Sequence, residues 1–121
     1  MTQPLALVYY QKLMPGSQLV NRLQDLHYRV ISASETEGLV TSAKTDGPML
    51  IFVDLEPTGA LDLIARLRAD QATSHVPLIG FGAVTEASAK LAQQKGATLV
   101  VGEPALLSHL PDLLEQALRV E

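Results

Sequence analysis

Residues 49–54 read Met49-Leu50-Ile51-Phe52-Val53-Asp54, five consecutive apolar residues followed by an aspartate. A continuous apolar run of this length, which does not alternate with polar residues, is typical of a parallel strand buried on both faces. Similar runs occur at residues 5–10, 78–81 and 98–101, and a weaker one at residues 28–32. The sequence therefore predicts five strands of a parallel sheet.

Helical patterns separate these runs and follow the last one. Each pattern places apolar residues three and four positions apart on one face, and Pro111 suits the first turn of the fifth helix. We expect the first helix to follow Pro15-Gly16 with Ser17 as its N-cap. Ser34 and Glu37 have the spacing of a capping box at the start of the second helix. A strand followed by a helix, five times, predicts an α/β fold.

This alternation also predicts the arrangement of the sheet. Right-handed crossovers place helices on both of its faces, and the usual solution for five units is a flavodoxin-like, doubly wound (βα)5 sheet of order 2-1-3-4-5. In that order a binding site lies at the carboxyl ends of strands 1 and 3, where the winding changes direction. The residues at this edge are Tyr9, Tyr10, Asp54, Glu56, Gly82 and Glu103.

Composition limits the classes of function. A chain of 121 residues with 47% hydrophobic residues fits a single domain over residues 1–121. The net charge of -4 offers no positive surface to nucleic acid or an anionic membrane, and no apolar stretch is long enough to span a bilayer. The absence of cysteine excludes disulfides and thiolate chemistry and favours a reducing compartment. We therefore expect a cytoplasmic domain that binds neither nucleic acid nor a membrane.

Several segments resemble the receiver domains of response regulators in their order and spacing. Residues 23–33 resemble the end of the first helix and the second strand, with His27 where a glycine is common. Residues 49–54 resemble the strand that ends on the phospho-acceptor aspartate, and this places Asp54 at that position. The segments that resemble the fourth and fifth strand regions are residues 76–79, 95–97 and 103–104. The resemblance covers almost the whole chain and implies the receiver fold.

The phosphorylation chemistry of receivers is replaced at the other matching positions. Tyr9 and Tyr10 match the acidic pair that holds Mg²⁺, and Gly82 matches the serine or threonine that contacts the phosphoryl group. Glu103 matches the lysine that neutralises its charge, and Val100 matches the aromatic switch residue. Phosphoryl transfer depends on cations that neutralise the phosphoryl oxygens. The resemblance therefore implies a degenerate receiver in which Asp54 is not phosphorylated and no metal is bound.

Asp54 allows three interpretations. The first is a structural carboxylate that accepts hydrogen bonds from loop N–H groups. In the second, Asp54, Glu56 and Glu103 face one another in a pocket where burial and like charge raise a carboxyl pKa, and in the third they bind Ca²⁺. Tyr9 and Tyr10 lie on opposite faces of the sheet, so at most one of them fills the place of the missing acids.

The predicted function is a signalling or interaction module with no enzymatic activity and no cofactor. The partner is another protein or a second copy of the chain, and the resemblance suggests docking on the face formed by the fourth helix, fifth strand and fifth helix. The alternative is a domain that senses a small molecule or cofactor in the crevice at the strand ends, where Tyr9 or Tyr10 stacks on a ring. Arg66, Arg68 and Asp70 are expected to form a solvated helix face.

Overall fold

The computed structural model describes residues 4–11, 13–57, 59–82 and 85–118, except for the side chains of residues 13–16, 103 and 118. Five strands form one parallel sheet in the order β2-β1-β3-β4-β5, which confirms the predicted arrangement. Each predicted strand end agrees with the observed one to within a single residue. The strands are β1 (Leu5–Tyr9), β2 (Arg29–Ala33), β3 (Leu50–Asp54), β4 (Leu78–Gly82) and β5 (Leu99–Gly102).

The described part of the chain contains six helices, one more than predicted. The additional helix is short and begins directly after β5, where the sequence shows no apolar periodicity long enough to reveal it. The helices are α1 (Leu13–Asp25), α2 (Thr36–Asp46), α3 (Ala60–Ala69), α4 (Glu86–Lys95), α5 (Glu103–Ser108) and α6 (Leu110–Leu118).

The sheet separates two apolar cores. Side chains alternate between its faces, so Ile51 of β3 packs in one core and the adjacent Phe52 packs in the other. The first core is closed by α2, α3 and α4, and the second by α1, α5 and α6. Tyr9 belongs to the first core and Tyr10 packs against the second, which confirms that these tyrosines lie on opposite faces.

The start of α1 differs from the prediction. The helix begins at Leu13, so Pro15 and Gly16 lie inside its first turn and Ser17 is not the N-cap. A proline is tolerated there because the N–H groups of the first turn have no acceptor within the helix. The sequence rule that places a helix after a Pro-Gly pair therefore starts this helix too late.

The predicted capping box at the start of α2 does not form. The N-cap residue is Glu35, and no side chain caps the helix. Glu37 instead accepts two hydrogen bonds from the guanidinium of Arg66 in α3, at 2.6 and 3.2 Å. This bond and the charge of Arg66 hold the pKa of Glu37 below its usual value. The contact ties α2 to α3. With Glu35 as the N-cap, Glu37 is the second residue of the helix, one position too early for a capping box.

Arg68 is not part of a solvated helix face, in contrast to the prediction. Its side chain leaves α3 and turns under the amino ends of β4 and β5, where Nε donates to the carbonyl of Gly96 at 2.7 Å. Nη1 donates to three carbonyls of the following loop, and Nη2 lies 3.4 Å from the hydroxyl oxygen of Thr98. The loop carbonyls and their distances are those of Thr73 (3.3 Å), Ser74 (3.0 Å) and Val76 (2.6 Å).

Gly96 makes room for this arginine. It follows α4 with a positive φ of 124°, and a Cβ at this position would lie 2.3 Å from Cγ of Arg68. No residue with a side chain fits there unless Arg68 moves. The observed position of the Arg68 side chain therefore requires a glycine at the end of α4.

His27 adopts the left-handed conformation at the end of α1, with φ of 71°. The N–H of His27 donates to the carbonyl of Gln24, and the N–H of Tyr28 donates to the carbonyl of Leu23. This pair of bonds is the Schellman motif, in which glycine is the preferred residue at the position that His27 occupies. The structure therefore explains why a glycine suits this position.

We predict that His27→Gly raises the free energy of unfolding by about 0.5–1 kcal/mol, because glycine adopts positive φ without the steric cost of a Cβ. Gly47→Ala is the matched control, since Gly47 has φ of 59° at the end of α2 and nothing lies within 4 Å of the added Cβ. Gly47→Ala should lower the free energy of unfolding by about 1 kcal/mol. Urea denaturation measures both changes. A less stable His27→Gly protein would show that the imidazole itself contributes more than the strain costs.

We also predict that Arg68→Met lowers the free energy of unfolding by about 3 kcal/mol or more, because it leaves several half-buried carbonyls without a donor. Arg66→Met is the control in the same helix. It removes an exposed ion pair and should have a much smaller effect. Equal losses of stability in the two variants, measured by thermal and urea denaturation, would contradict the structural role of Arg68.

Candidate functional site

Asp54 lies at the carboxyl end of the central strand and is only 1% exposed. The N–H of Glu56 donates to its Oδ1 at 3.0 Å, while the N–H of Leu55 donates to the carbonyl of Phe81 at 2.9 Å. These bonds turn the chain out of β3 and fasten the turn to β4. The hydrogen bond that the first interpretation of Asp54 requires is therefore present, while a purely structural role for this carboxylate stays a prediction.

Gly82 lies beside this carboxylate at the end of β4. Its φ is 124°, and a Cβ would lie 3.0 Å from Oδ1 of Asp54. This distance is tighter than nine in ten real Cβ contacts, so Asp54 would have to move by a few tenths of an ångström, and a side chain is strained in this backbone conformation. A serine or threonine here would therefore strain the end of β4 and shift the carboxylate of Asp54.

Tyr9 ends β1 and is 1% exposed. Its phenolic oxygen accepts a hydrogen bond from Nε2 of Gln11 at 3.3 Å, and the same nitrogen donates to the carbonyl of Ser34 at 3.3 Å. Burial raises the pKa of Tyr9, and the negative charge of Asp54 raises it further, while the bond from Gln11 lowers it. Tyr9 is therefore a neutral, buried phenol whose ring is not open to stack on a ligand. Of the two tyrosines that the alternative function offered for stacking, only Tyr10 is partly exposed.

Gln11 was not identified from the sequence. Its side chain links the phenolic oxygen of Tyr9, at the end of β1, to the carbonyl of Ser34, just after β2. It therefore lies across the carboxyl ends of these two strands. The only signal was its position just after the two strand-end tyrosines, and a polar residue there has many other possible roles. Tyr10 is half-buried on the other face, and its N–H donates to the carbonyl of Ala33 at 3.1 Å.

The three acidic residues are not gathered in one buried pocket. Glu56 is exposed while Asp54 is buried, so Glu56 contributes its backbone N–H and not its carboxylate. Glu103 begins α5 directly after Gly102, which pairs with Gly82, so its backbone lies at the same edge of the sheet. The side chain of Glu103 lies outside the described residues, and its effect on Asp54 stays a prediction. Val100 is half-buried against the first core.

The surroundings of this edge limit what it can bind. The described residues contain no group of three histidine, cysteine or acidic side chains that could hold a metal ion. A cavity of about 330 Å³ lies next to the turn after β3, and neither Tyr9 nor Tyr10 lines it. Its lining residues are Leu55, Pro57, Gly59, Ala60, Leu61 and Asp62.

None of the helices in the described ranges combines the length and the apolar character that a membrane span needs.

Comparison with known proteins gives a clear result for structure and none for sequence. The sequence matches no protein-family model, and no curated protein matches it. Many solved structures share its fold. A response regulator from Thermotoga maritima superposes with a TM-score of 0.84 at 20% identity, covering 98% of this chain and 100% of that one.

Two further structures agree over nearly their whole length. The receiver domain of NtrX from Brucella abortus has a TM-score of 0.85 at 19% identity, covering 96% of this chain and 99% of that chain. The Vibrio cholerae chemotaxis protein CheY4 has a TM-score of 0.86 at 16% identity, with coverages of 96% and 99%. The chain therefore has the fold of response-regulator receiver domains.

Proposed function

We propose that this chain is a signalling module that binds a protein partner, or a second copy of itself, without phosphorylation of Asp54. The observation that carries the proposal is the buried carboxylate of Asp54, which accepts the Glu56 N–H and lies against the backbone of Gly82. A phospho-acceptor has to present its oxygen to a phosphodonor and to a metal ion. This carboxylate serves the turn after β3 instead.

The chemistry around Asp54 supports the same proposal. Stabilisation of the transferring phosphoryl group depends on Mg²⁺ and on nearby cations. Tyr9 occupies an acid position with a neutral phenol, and Gly82 has no hydroxyl to offer. A carboxylate at Glu103 would add to the negative charge. We therefore propose neither phosphoryl transfer nor any other catalytic role for this edge, and no cofactor.

The proposed docking surface is the face made by α4, β5 and the following α5–α6 pair. β5 is the last strand of the sheet, so one of its edges has no neighbouring strand, and all four of its residues are half-buried. Leu91 on α4 is 46% exposed, an apolar side chain of the kind that anchors protein interfaces. Val100 has no aromatic ring to move between buried and exposed positions, so the surface is a fixed one.

A small-molecule sensor remains the second candidate, and the cavity beside the turn after β3 supports it. Its volume of about 330 Å³ is at the lower limit for a compact ligand. The lining is apolar except for Asp62, and no aromatic ring contributes to it. A ligand here would have to be small and largely apolar. A search for co-purifying compounds by mass spectrometry separates this candidate from protein docking.

We predict that acetyl phosphate or beryllofluoride, each with Mg²⁺, leaves the protein unchanged, because the groups that would bind the metal and neutralise the phosphoryl oxygens are replaced. Intact mass and two-dimensional amide NMR spectra are the measurements. Asp54→Asn serves as the control and should behave like the unmodified chain. A stoichiometric gain of one phosphoryl group that Asp54→Asn abolishes would show that the degenerate interpretation is wrong.

We further predict that binding survives Asp54→Asn, since an amide oxygen can still accept the Glu56 N–H. Leu91→Glu should weaken binding about tenfold or more, because few side chains carry most of the energy of an interface. Leu26→Glu is the matched control, because Leu26 lies just after α1 and is 38% exposed, close to the exposure of Leu91. Sedimentation measures self-association, and affinity capture compares partner recovery between variants. Binding lost in Asp54→Asn alone, with all three proteins folded, would redirect attention to the carboxylate.

A further inference from the structure

We infer that the cleft beside Arg68 is a binding site for a small oxyanion of the phosphate or carboxylate class. It lies at the amino ends of the strands, whereas Asp54 lies at their carboxyl ends. The site is separate from the chemistry of Asp54, and it borders the proposed docking surface only at Ala117 of α6 and beside the start of β5. It rests on three observations made on the described residues: a cavity, a guanidinium N–H that has no acceptor among them, and a positive charge that has no acidic partner among them.

The cavity has a volume of about 390 Å³ and lies at the amino ends of β4 and β5. Four of the seven described lining residues have polar side chains, namely Arg68, Ser74, His75 and Thr98. Each of these side chains can donate a hydrogen bond, whereas no acidic residue is among the described lining residues. A cavity with this lining favours an anionic ligand over a cation.

The hydrogen bonds of Arg68 do not use all of the N–H groups of its guanidinium. A guanidinium has five N–H bonds, one on Nε and two on each terminal nitrogen. Nε and Nη1 are committed to carbonyls of Gly96 and of the loop, but Nη2 makes one long contact of 3.4 Å, to Thr98. Among the described residues, the second N–H of Nη2 has no acceptor. The Thr98 oxygen already accepts the Leu78 N–H at 3.1 Å, so its own O–H is also available as a donor.

No acidic side chain among the described residues balances the charge of Arg68. The described ion pairs join Lys44 to Asp70 and Arg66 to Glu37, and neither includes Arg68. Burial lowers the pKa of Arg68, which means that its surroundings disfavour the cation. Carbonyl oxygens satisfy N–H groups but carry no net charge. An oxyanion in the cleft would supply both the missing acceptor and the missing charge, and planar or tetrahedral oxyanions match the guanidinium geometry.

The test is a titration of the whole chain with inorganic phosphate, at constant ionic strength maintained with chloride. We expect the midpoint of thermal unfolding to rise and then saturate, by roughly 3–6 °C at a tenfold excess over the dissociation constant. In NMR spectra the Nε–H of Arg68 and the backbone amides of His75 and Thr98 should shift along the same saturation curve.

Two variants separate specific binding from a general salt effect. His75→Glu places a carboxylate on the wall of the cleft, so it should raise the midpoint without phosphate and reduce the phosphate-dependent rise by more than half. Arg66→Gln removes an exposed cation elsewhere on α3 and should leave that rise unchanged. A linear rise of equal slope in all three proteins, as preferential exclusion of phosphate produces, would overturn the inference. Shifts confined to residues outside the cleft would overturn it as well.

Discussion

The hydrogen bonds of Arg68 hold one end of this fold together. They join the end of α3, the loop after it, the end of α4 and the start of β5, segments that the sheet alone does not connect. The carbonyls involved lie in loops and at helix ends, where no helix or sheet N–H is available to them. Burying any of them without a donor would lower the stability of the fold. One side chain satisfies them all. The amino ends of β4 and β5 therefore start side by side, as the bond from the Thr98 N–H to the Leu78 carbonyl also shows.

Asp54 has the complementary role at the other end of the sheet. There the unpaired groups after a strand are N–H groups, and a buried anion accepts one of them. The domain thus places a cation where loop carbonyls need donors and an anion where a turn needs an acceptor. This division gives the aspartate at the end of β3 a structural role that needs no phosphorylation.

Much of the fold could be predicted because its signals are local. Continuous apolar runs such as residues 49–53 predicted the strands, and the sheet order followed from the usual arrangement of five strand–helix units. The start of α1 was missed because Pro15 is as acceptable inside a first turn as before it. The role of Arg68 was missed for a different reason. Its acceptors include Gly96, 28 residues away, and a sequence in which arginines alternate along a helix looks the same whether a guanidinium faces water or carbonyls. The burial of Tyr9 could be anticipated from its strand, but its bond to Gln11 could not.

Gly82 also limits which substitutions the carboxyl end of β4 accepts. Any residue with a side chain would place its Cβ 3.0 Å from Oδ1 of Asp54, in a backbone conformation that favours glycine. Such a substitution would lower stability in two ways, through backbone strain and through displacement of the carboxylate that accepts the Glu56 N–H. Substitutions on exposed surfaces usually change stability by less than about 0.5 kcal/mol, so this chain tolerates change more readily on its helix surfaces than at this strand end.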